Sequence, residues 1–193
     1  MFGRLFAVAV IVMVPVRAAL GAEAALGSVP VIHITDLYHP HNDPDDHFDL
    51  ATVFGMDAFD LRAVVIDMGK DGAGRPGLPA VEQMMRITGK QVPCATGLVE
   101  NLKTQSDKCE QQPAEAQAGV NLILKVLRES DKPVTVFCVG SMRDLAAAYN
   151  REPELLKEKM GRCYVNAGDT AGGVEWNVGL DPHAYVRVMD SPL

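Results

Sequence analysis

The sequence predicts an α/β domain, a mostly parallel sheet with helices on both faces. Three observations predict it. Short, nearly continuous apolar runs recur at Val29–Thr35, Leu61–Asp67 and Pro133–Val139, as strands buried on both faces require. Between them lie segments whose apolar residues repeat at helical spacing, and this alternation is that of strands joined by crossover helices. Polar clusters follow the strands, at the carboxyl ends where such sheets bind ligands.

Each element has a local reason. Val29–Thr35 is the first strand. Asp46–Met56 is a helix with Leu50, Val53 and Phe54 on one side and acids in its first turn, where the helix dipole favours them. Leu61–Asp67 is the second strand. Gly69–Gly77 is a glycine-rich loop too irregular for a phosphate-binding fingerprint. Pro79–Thr88 is helical, Gln91–Ala95 a short strand and Thr96–Pro113 a long polar loop. Ala114–Glu129 gathers Val120, Ile123, Leu124 and Leu127 on one face of a strong amphipathic helix. Pro133–Val139 is the clearest buried strand, and Ser141 is expected to cap a helix over Met142–Asn150. A short helix at Pro153–Lys159, a strand at Arg162–Asn166 and a loop at Gly168–Gly173 follow. Asp181 and Pro182 are the expected cap and first residue of a last helix, Pro182–Met189.

A chain of 193 residues suggests one domain. With 48% hydrophobic and 22% charged residues it supports a sizeable core. A net charge of −7, without a basic run, argues against a general nucleic-acid binder. The first residues resemble an export signal: Arg4, then an apolar stretch from Leu5 to Val16, then Ala22-Glu23-Ala24 as a small-x-small cleavage site. The expectation is therefore a signal peptide at 1–24, a domain at 29–193, an exported protein, and no stable membrane association after cleavage. The mature chain would carry 16 basic and 24 acidic residues, net −8. The four cysteines form no C-x-x-C pair. Cys94 and Cys109 flank a polar loop and could pair in an oxidising compartment, whereas Cys138 and Cys163 lie in apolar runs as buried thiols.

The most informative stretch runs from Asp36 to Asp49. It places five carboxylates and three imidazoles within fourteen residues, directly after the first strand. Carboxylates this dense repel one another unless a cation, a proton or helix amides compensate. Hard divalent cations take several oxygen ligands, and Asp36, Asp43, Asp45, Asp46 and Asp49 offer them. Asp49 also fits as a first-turn helix acid, and Asp45 and Asp46 also fit as helix caps. His39-Pro40-His41-Asn42-Asp43 contains the His-x-His-x-Asp of binuclear zinc hydrolases, but Pro44 stands where that signature wants His. Otherwise His39, His41 and His47 are loop histidines at a pocket rim, and His33, within a strand, is a satisfied core histidine. Glu175 and Asn177, one residue apart on an extended segment, would share a face and could grip a vicinal diol, with Trp176 turned into the core.

Several of these stretches together resemble the nucleoside hydrolases, the inosine-uridine-preferring N-ribohydrolases. The Asp-rich loop is similar to that family's Asp-x-Asp-x-Gly-x-Asp-Asp loop. Val134 to Ala146, with Gly140-Ser141-Met142-Arg143-Asp144-Leu145-Ala146, resembles its strand and Gly-Pro-Leu-Thr-Asn-Leu-Ala turn. Glu154-Leu155 fits its Pro-Glu-Leu stretch. Gly173 to Ala184, with Glu175-Trp176-Asn177 and Asp181-Pro182-His183-Ala184, is similar to its Ala-Glu-Phe-Asn and Asp-Pro-x-Ala element.

The resemblance implies hydrolysis of the N-glycosidic bond of a ribonucleoside by a calcium-activated water. It implies metal ligands among Asp36, Asp43, Asp45, Asp46 and the Val139 carbonyl. Asp36 or Asp43 would act as base. Glu175 and Asn177 would hold the ribose, with Asp169 or Asn166 at its far side. The loop is longer here than in the family, so Asp36 and Asp43 both fit its first metal-binding position. Asp144 stands where the family turn has Asn. The family pattern also continues past Asp181-Pro182-His183 to a His-Asp pair, its Asp for calcium and its His for the leaving base. This chain, ending at Leu193, does not contain that pair, so the resemblance implies a shortened carboxy-terminal part and weak or absent turnover. The expected partner is a small nucleoside or ribose-containing substrate, with homo-oligomerisation left open. The rival readings are a non-catalytic ribose-binding domain and a zinc-dependent His/Asp hydrolase.

Overall fold

The computed structural model describes residues 27–40, 44–67, 69–72 and 77–193. The expected export signal, His41 and Asp43 lie outside them. Five strands, β1 (Val29–Thr35), β2 (Phe59–Ile66), β3 (Cys94–Thr96), β4 (Val134–Cys138) and β5 (Met160–Val165), form one sheet in the order β3-β2-β1-β4-β5. Every pairing is parallel. Eight helices accompany them among the described residues: α1 (Asp45–Gly55), α2 (Gly69–Gly72), α3 (Leu78–Thr88), α4 (Ala118–Glu129), α5 (Arg143–Arg151), α6 (Pro153–Lys159), α7 (Trp176–Leu180) and α8 (Pro182–Met189). None of the described helices is long and apolar enough to cross a membrane.

Side chains alternate across each strand, and the two faces of the sheet therefore build two cores. Ile32, Ile34, Ala63, Val65, Val134, Val136 and Cys138 pack with Val120, Ile123, Leu124 and Leu127 of α4 and with buried residues of α5, α6 and α8. Val31, Leu61, Val64 and Ile66 pack on the other face against Leu50, Val53 and Phe54 of α1 and Ala80 and Val81 of α3. The amphipathic stripes expected for α1 and α4 are the buried ones.

The structure departs from the sequence reading in several places. The helix expected from Ala114 opens with a 3-10 turn, Ala114–Gln117. One helical turn, α2, occupies the start of the expected glycine loop. Ser141 is not the cap residue of α5: that position is Met142, in a left-handed conformation with φ 60°. The Ser141 Oγ still accepts the Arg143 amide at 3.3 Å, but its proton goes to Asp67 Oδ1 at 2.6 Å. All four cysteines are free thiols, so Cys94 and Cys109 do not pair. His33 is buried as expected but not satisfied: neither ring nitrogen has a hydrogen-bond partner among the described residues, and burial lowers its pKa to about 4.

The largest departure is a buried polar network. Arg143, 2% exposed, lies in an otherwise buried helix. Its Nε donates to Asp181 Oδ2 at 3.1 Å and its Nη1 to Leu98 O at 3.2 Å. Its Nη2 donates to Asn101 Oδ1 at 2.8 Å and to Leu180 O at 3.0 Å. Asp67 Oδ1 stands 3.9 Å from its Nη1. Asp181 also accepts the Leu102 amide at 2.8 Å and caps α8 through the Ala184 amide at 3.1 Å. A single guanidinium thus ties the loop after β3 to the α7–α8 junction.

Asp144, fully buried beside this network, accepts the Leu98 amide at 3.0 Å through Oδ2. Its Oδ1 has no partner among the described residues. A Cβ at Gly97 would come within 1.9 Å of its carboxylate and one at Gly119 within 2.4 Å, so two glycines make its room. Burial, then the charge of Asp67, holds its pKa well above the ordinary value. Asp144 is thus a neutral acid, close in shape and charge to the Asn of the resembled turn.

Two outcomes are expected. Arg143→Met leaves Asp67 and Asp181 buried without their cation and costs about 3–5 kcal/mol, read as a melting temperature lower by roughly 10 °C. Asp144→Asn acts oppositely at neutral pH. The native Asp144 keeps a proton that the unfolded chain releases above pH about 4, so stability falls as pH rises through that range toward the folded pKa. The Asn variant lacks this loss. Its melting temperature should exceed the parent's near pH 7 and converge on it near pH 4, in a thermal-melt series against pH.

Candidate active site

The sheet order places β1 at the switch point: the chain leaves it toward β2 on one side, and β4 lies on the other. Crevices at the carboxyl ends of strands form there. A cavity of about 350 Å³ occupies this position, lined by Asp36, Leu37 and Tyr38 after β1, Asp45, Asp46 and His47 at the start of α1, Val139 after β4, Asn166 after β5, and Glu175, Trp176 and Asn177 at the start of α7. No Lys or Arg is among these residues.

Two of its carboxylates face each other. Asp36 and Asp46 share a hydrogen bond, and burial followed by the charge of Asp46 pushes the Asp36 pKa up to about 8. The Asp46 pKa is also raised, first by burial. Thr35 Oγ donates to Asp46 Oδ1, and the same oxygen accepts the Leu37 amide at 3.1 Å, which fixes the bend out of β1. Asp45 accepts the Asp46 amide at 3.0 Å, so part of it serves the helix start. Asp49, raised by burial and then by Asp45, is not among the lining residues.

The opposite wall differs from the expected extended Glu-x-Asn grip. Residues 176–180 are helical, and Glu175 is the cap of that helix. Its carboxylate accepts the amides of Asn177 at 2.9 Å, Val178 at 3.2 Å and Gly168 at 3.1 Å. Asn177, 6% exposed, donates from Nδ2 to Val139 O at 3.1 Å and to Asn166 O at 2.8 Å, tying the ends of β4 and β5. Trp176 is not in the core: it is 69% exposed, and its Nε1 donates to Asp36 Oδ2 at 3.3 Å. The helical turn, with a period near 3.6 rather than 2, rotates Trp176 outward.

The structure therefore brings Asp36, Asp45, Asp46, Val139, Asn166, Glu175 and Asn177 to one cavity. It does not bring Asp169 there: that carboxylate accepts the Ala171 and Gly173 amides at 2.7 and 3.1 Å within its own loop. Thr35 and Tyr38, missed in the sequence, also belong to the site region. A Thr closing a strand just before an Asp-rich loop was the available signal for Thr35.

The donor set suits a hard cation in chemistry, although no three His, Cys, Asp or Glu side chains among the described residues are arranged to hold a metal ion. Asp36 and Asp46 crowd two half-buried carboxyls together, and the Asp36 pKa is accordingly pushed up to about 8. A divalent ion beside them would relieve that crowding of charge.

Comparison with known proteins agrees with this architecture. A family model described as inosine-uridine preferring nucleoside hydrolase matches residues 42–193. The pyrimidine-specific ribonucleoside hydrolase RihA of Enterobacter sp. (strain 638) is 37% identical over 84 residues, 41% of this chain and 26% of that protein. RihA of Citrobacter koseri is 25% identical over 186 residues, 85% of this chain and 57% of that protein. Among solved structures, an inosine-guanosine nucleoside hydrolase superposes with a TM-score of 0.64 at 16% identity, over 84% of this chain and 58% of that one. The inosine-uridine preferring nucleoside hydrolase of Bacillus anthracis gives 0.63 at 17% identity, over 86% and 63%. The chain thus spans from about a quarter to under two thirds of these relatives. By the extent of the family match, the chain belongs to the inosine-uridine preferring nucleoside hydrolase family.

Proposed function

We propose that this pocket binds a ribonucleoside and hydrolyses its N-glycosidic bond, and that the protein acts after export. The observation that carries the reading is the half-buried Asp36–Asp46 pair in a cavity of about 350 Å³ at the switch point of the sheet. Family membership supports it, as do the hydrolase activities named for the RihA relatives.

Asp36, Asp46, Asp45 and the Val139 carbonyl would hold a hard cation, calcium by oxygen-donor chemistry, and Asp43 remains a further candidate ligand and base. When bound, such an ion supplies a fixed positive charge that orients the ribose hydroxyls and acidifies a water. Asp36, positioned by Asp46 and by the Trp176 indole N–H, takes the proton of the attacking water. The acidic wall stabilises positive charge developing on the ribosyl carbon. Asn166, with Glu175 and Asn177, meets the sugar from the other side, while Asp169 shapes the loop behind it.

Glu175 and Asn177 already hold backbone groups, and this favours one second reading, a domain that binds nucleosides without turning them over. The assay that separates the two is reducing-sugar release from inosine and uridine with and without calcium. Hydrolysis predicts calcium-dependent release that falls about 100-fold or more in Asp36→Asn. Saturable nucleoside binding without release selects the second reading.

Two further outcomes are expected. Calcium at about 100 times its Kd adds roughly 2.7 kcal/mol to stability, so it raises the melting temperature of the parent, and less so that of Asp46→Asn. An unchanged melt at large calcium excess removes the ion from the reading. Glu175→Ala or Asn177→Ala weakens nucleoside binding by about tenfold, equivalent to about 1.4 kcal/mol, in calorimetric titration. Unchanged affinity in both removes that wall from the sugar site.

A further inference from the structure

A second cleft, of about 400 Å³, is lined by Thr104, Gln105 and Ser106 of the loop after β3 and by His183 and Arg187, which lie one helical turn apart on α8. It shares no residue with the cavity described above. Arg187 is held there more firmly than an ordinary surface arginine. Its Cζ lies 4.6 Å from the centroid of the buried Tyr149 ring. Its Nε donates to Oδ1 of the buried Asn150 at 2.6 Å. The Asn150 Nδ2 in turn donates to Gln105 O at 2.9 Å and to Asp107 O at 2.8 Å. One buried amide therefore fixes both the guanidinium and the loop opposite it. The ring contact and the Nε bond use one face and one edge of the fork. Neither Nη1 nor Nη2 has a hydrogen-bond acceptor among the described residues.

The nearby acids are turned to other work. Asp107 accepts the Lys103 amide at 3.0 Å and the Cys109 amide at 2.8 Å within its own loop. Glu154 of α6 is taken by Lys157 Nζ at 2.8 Å. No Asp or Glu lines the cleft, so in a chain of net charge −7 it presents the opposite sign. On the facing wall the Thr104 and Ser106 hydroxyls stand 3.4 Å apart. We propose that this cleft is a binding site for a phosphate group, carried by inorganic phosphate or by a small phosphomonoester. A fixed guanidinium with both Nη groups free matches two phosphate oxygens at once. The two hydroxyls and a ring N–H of His183 are donors for the remaining oxygens. A planar carboxylate would fill the fork and leave the hydroxyl wall without an acceptor, whereas a tetrahedral group uses both walls. The bound group would join the loop after β3 to α8, the same two segments that Arg143 ties from within. The inference stands apart from the nucleoside reading above.

The test is calorimetric titration of the whole chain with sodium phosphate and, separately, with ethyl phosphate, in calcium-free buffer at constant ionic strength. The site predicts saturable one-to-one binding. Tighter binding of inorganic phosphate makes the free ion the ligand, and tighter binding of ethyl phosphate makes a monoester the ligand. Arg187→Gln weakens the bound anion by about tenfold or more, because the two-oxygen contact is lost. Arg187→Lys keeps the charge without the fork and recovers only part of that loss. Arg187→Gln also gives up the contacts with Tyr149 and Asn150, so a second variant reads the opposite wall without disturbing them. Thr104→Ala/Ser106→Ala, at two exposed loop positions, keeps the parent's melting temperature and weakens the anion by about tenfold. Absence of saturable binding by both anions overturns the site. Parent-like affinity in the Thr104→Ala/Ser106→Ala variant also overturns it, because the anion is then held elsewhere on the chain.

Discussion

The guanidinium of Arg143 is the tie on which the arrangement around the cavity depends. It is nearly sealed from solvent and bonds to groups from the loop after β3, from the end of α7 and from the start of α8. The loop after β3 and the α7–α8 junction lie 79 residues apart, counted from Asn101 to Leu180. A charge taken out of water must be compensated almost completely. Four bonding partners and a neighbouring Asp67 do so for Arg143, and in doing so they hold the end of α7 against the loop after β3. The wall that carries Glu175, Trp176 and Asn177 therefore stands on an interaction outside the cavity.

The molecule holds two groups of crowded carboxylates, one buried and one half-buried, and treats them differently. Asp67 and Asp181 have a cation of their own in Arg143. Asp36 and Asp46 have none among their lining neighbours, and both carboxyls are pushed up in pKa instead. The first arrangement is closed and structural. The second is open to solvent on one side, and its charge can be balanced by something that arrives. That asymmetry, more than the number of acids, distinguishes the candidate site from the scaffold.

Much of the scaffold was legible in the sequence because it rests on periodicity. Ile32 and Ile34, Val64 and Val65, Val134 and Val136 lie in apolar runs that only a doubly covered strand explains. The stripe of α4 and the Asp181-Pro182 helix start follow from equally local rules. What was not legible depends on contacts across the chain. Trp176 and Glu175 lie on a helical turn whose cap reaches back to Gly168, and a two-residue spacing cannot distinguish that from an extended segment. Arg143 opens the helix that the sequence predicts, but its partners Asn101 and Asp181 are 42 and 38 residues away. Asp36, Asp45 and Asp46 were legible as a cluster. Asp169 was legible only as a polar residue near the right strand end, and its own loop claims it.

The free cysteines bear on where such a fold can work. Disulfide formation starts from a thiolate, and burial suppresses that form at each position. Cys94 and Cys109 are pushed up to about 12, Cys163 to about 11, and Cys138 well above the ordinary thiol range. At neutral pH the ionised fraction of each is minute, so attack on an incoming oxidant is slow. The fold needs no cross-link of its own and offers oxidants little to react with. Its integrity should therefore be indifferent to redox potential, a property that suits an oxidising compartment as well as a reducing one.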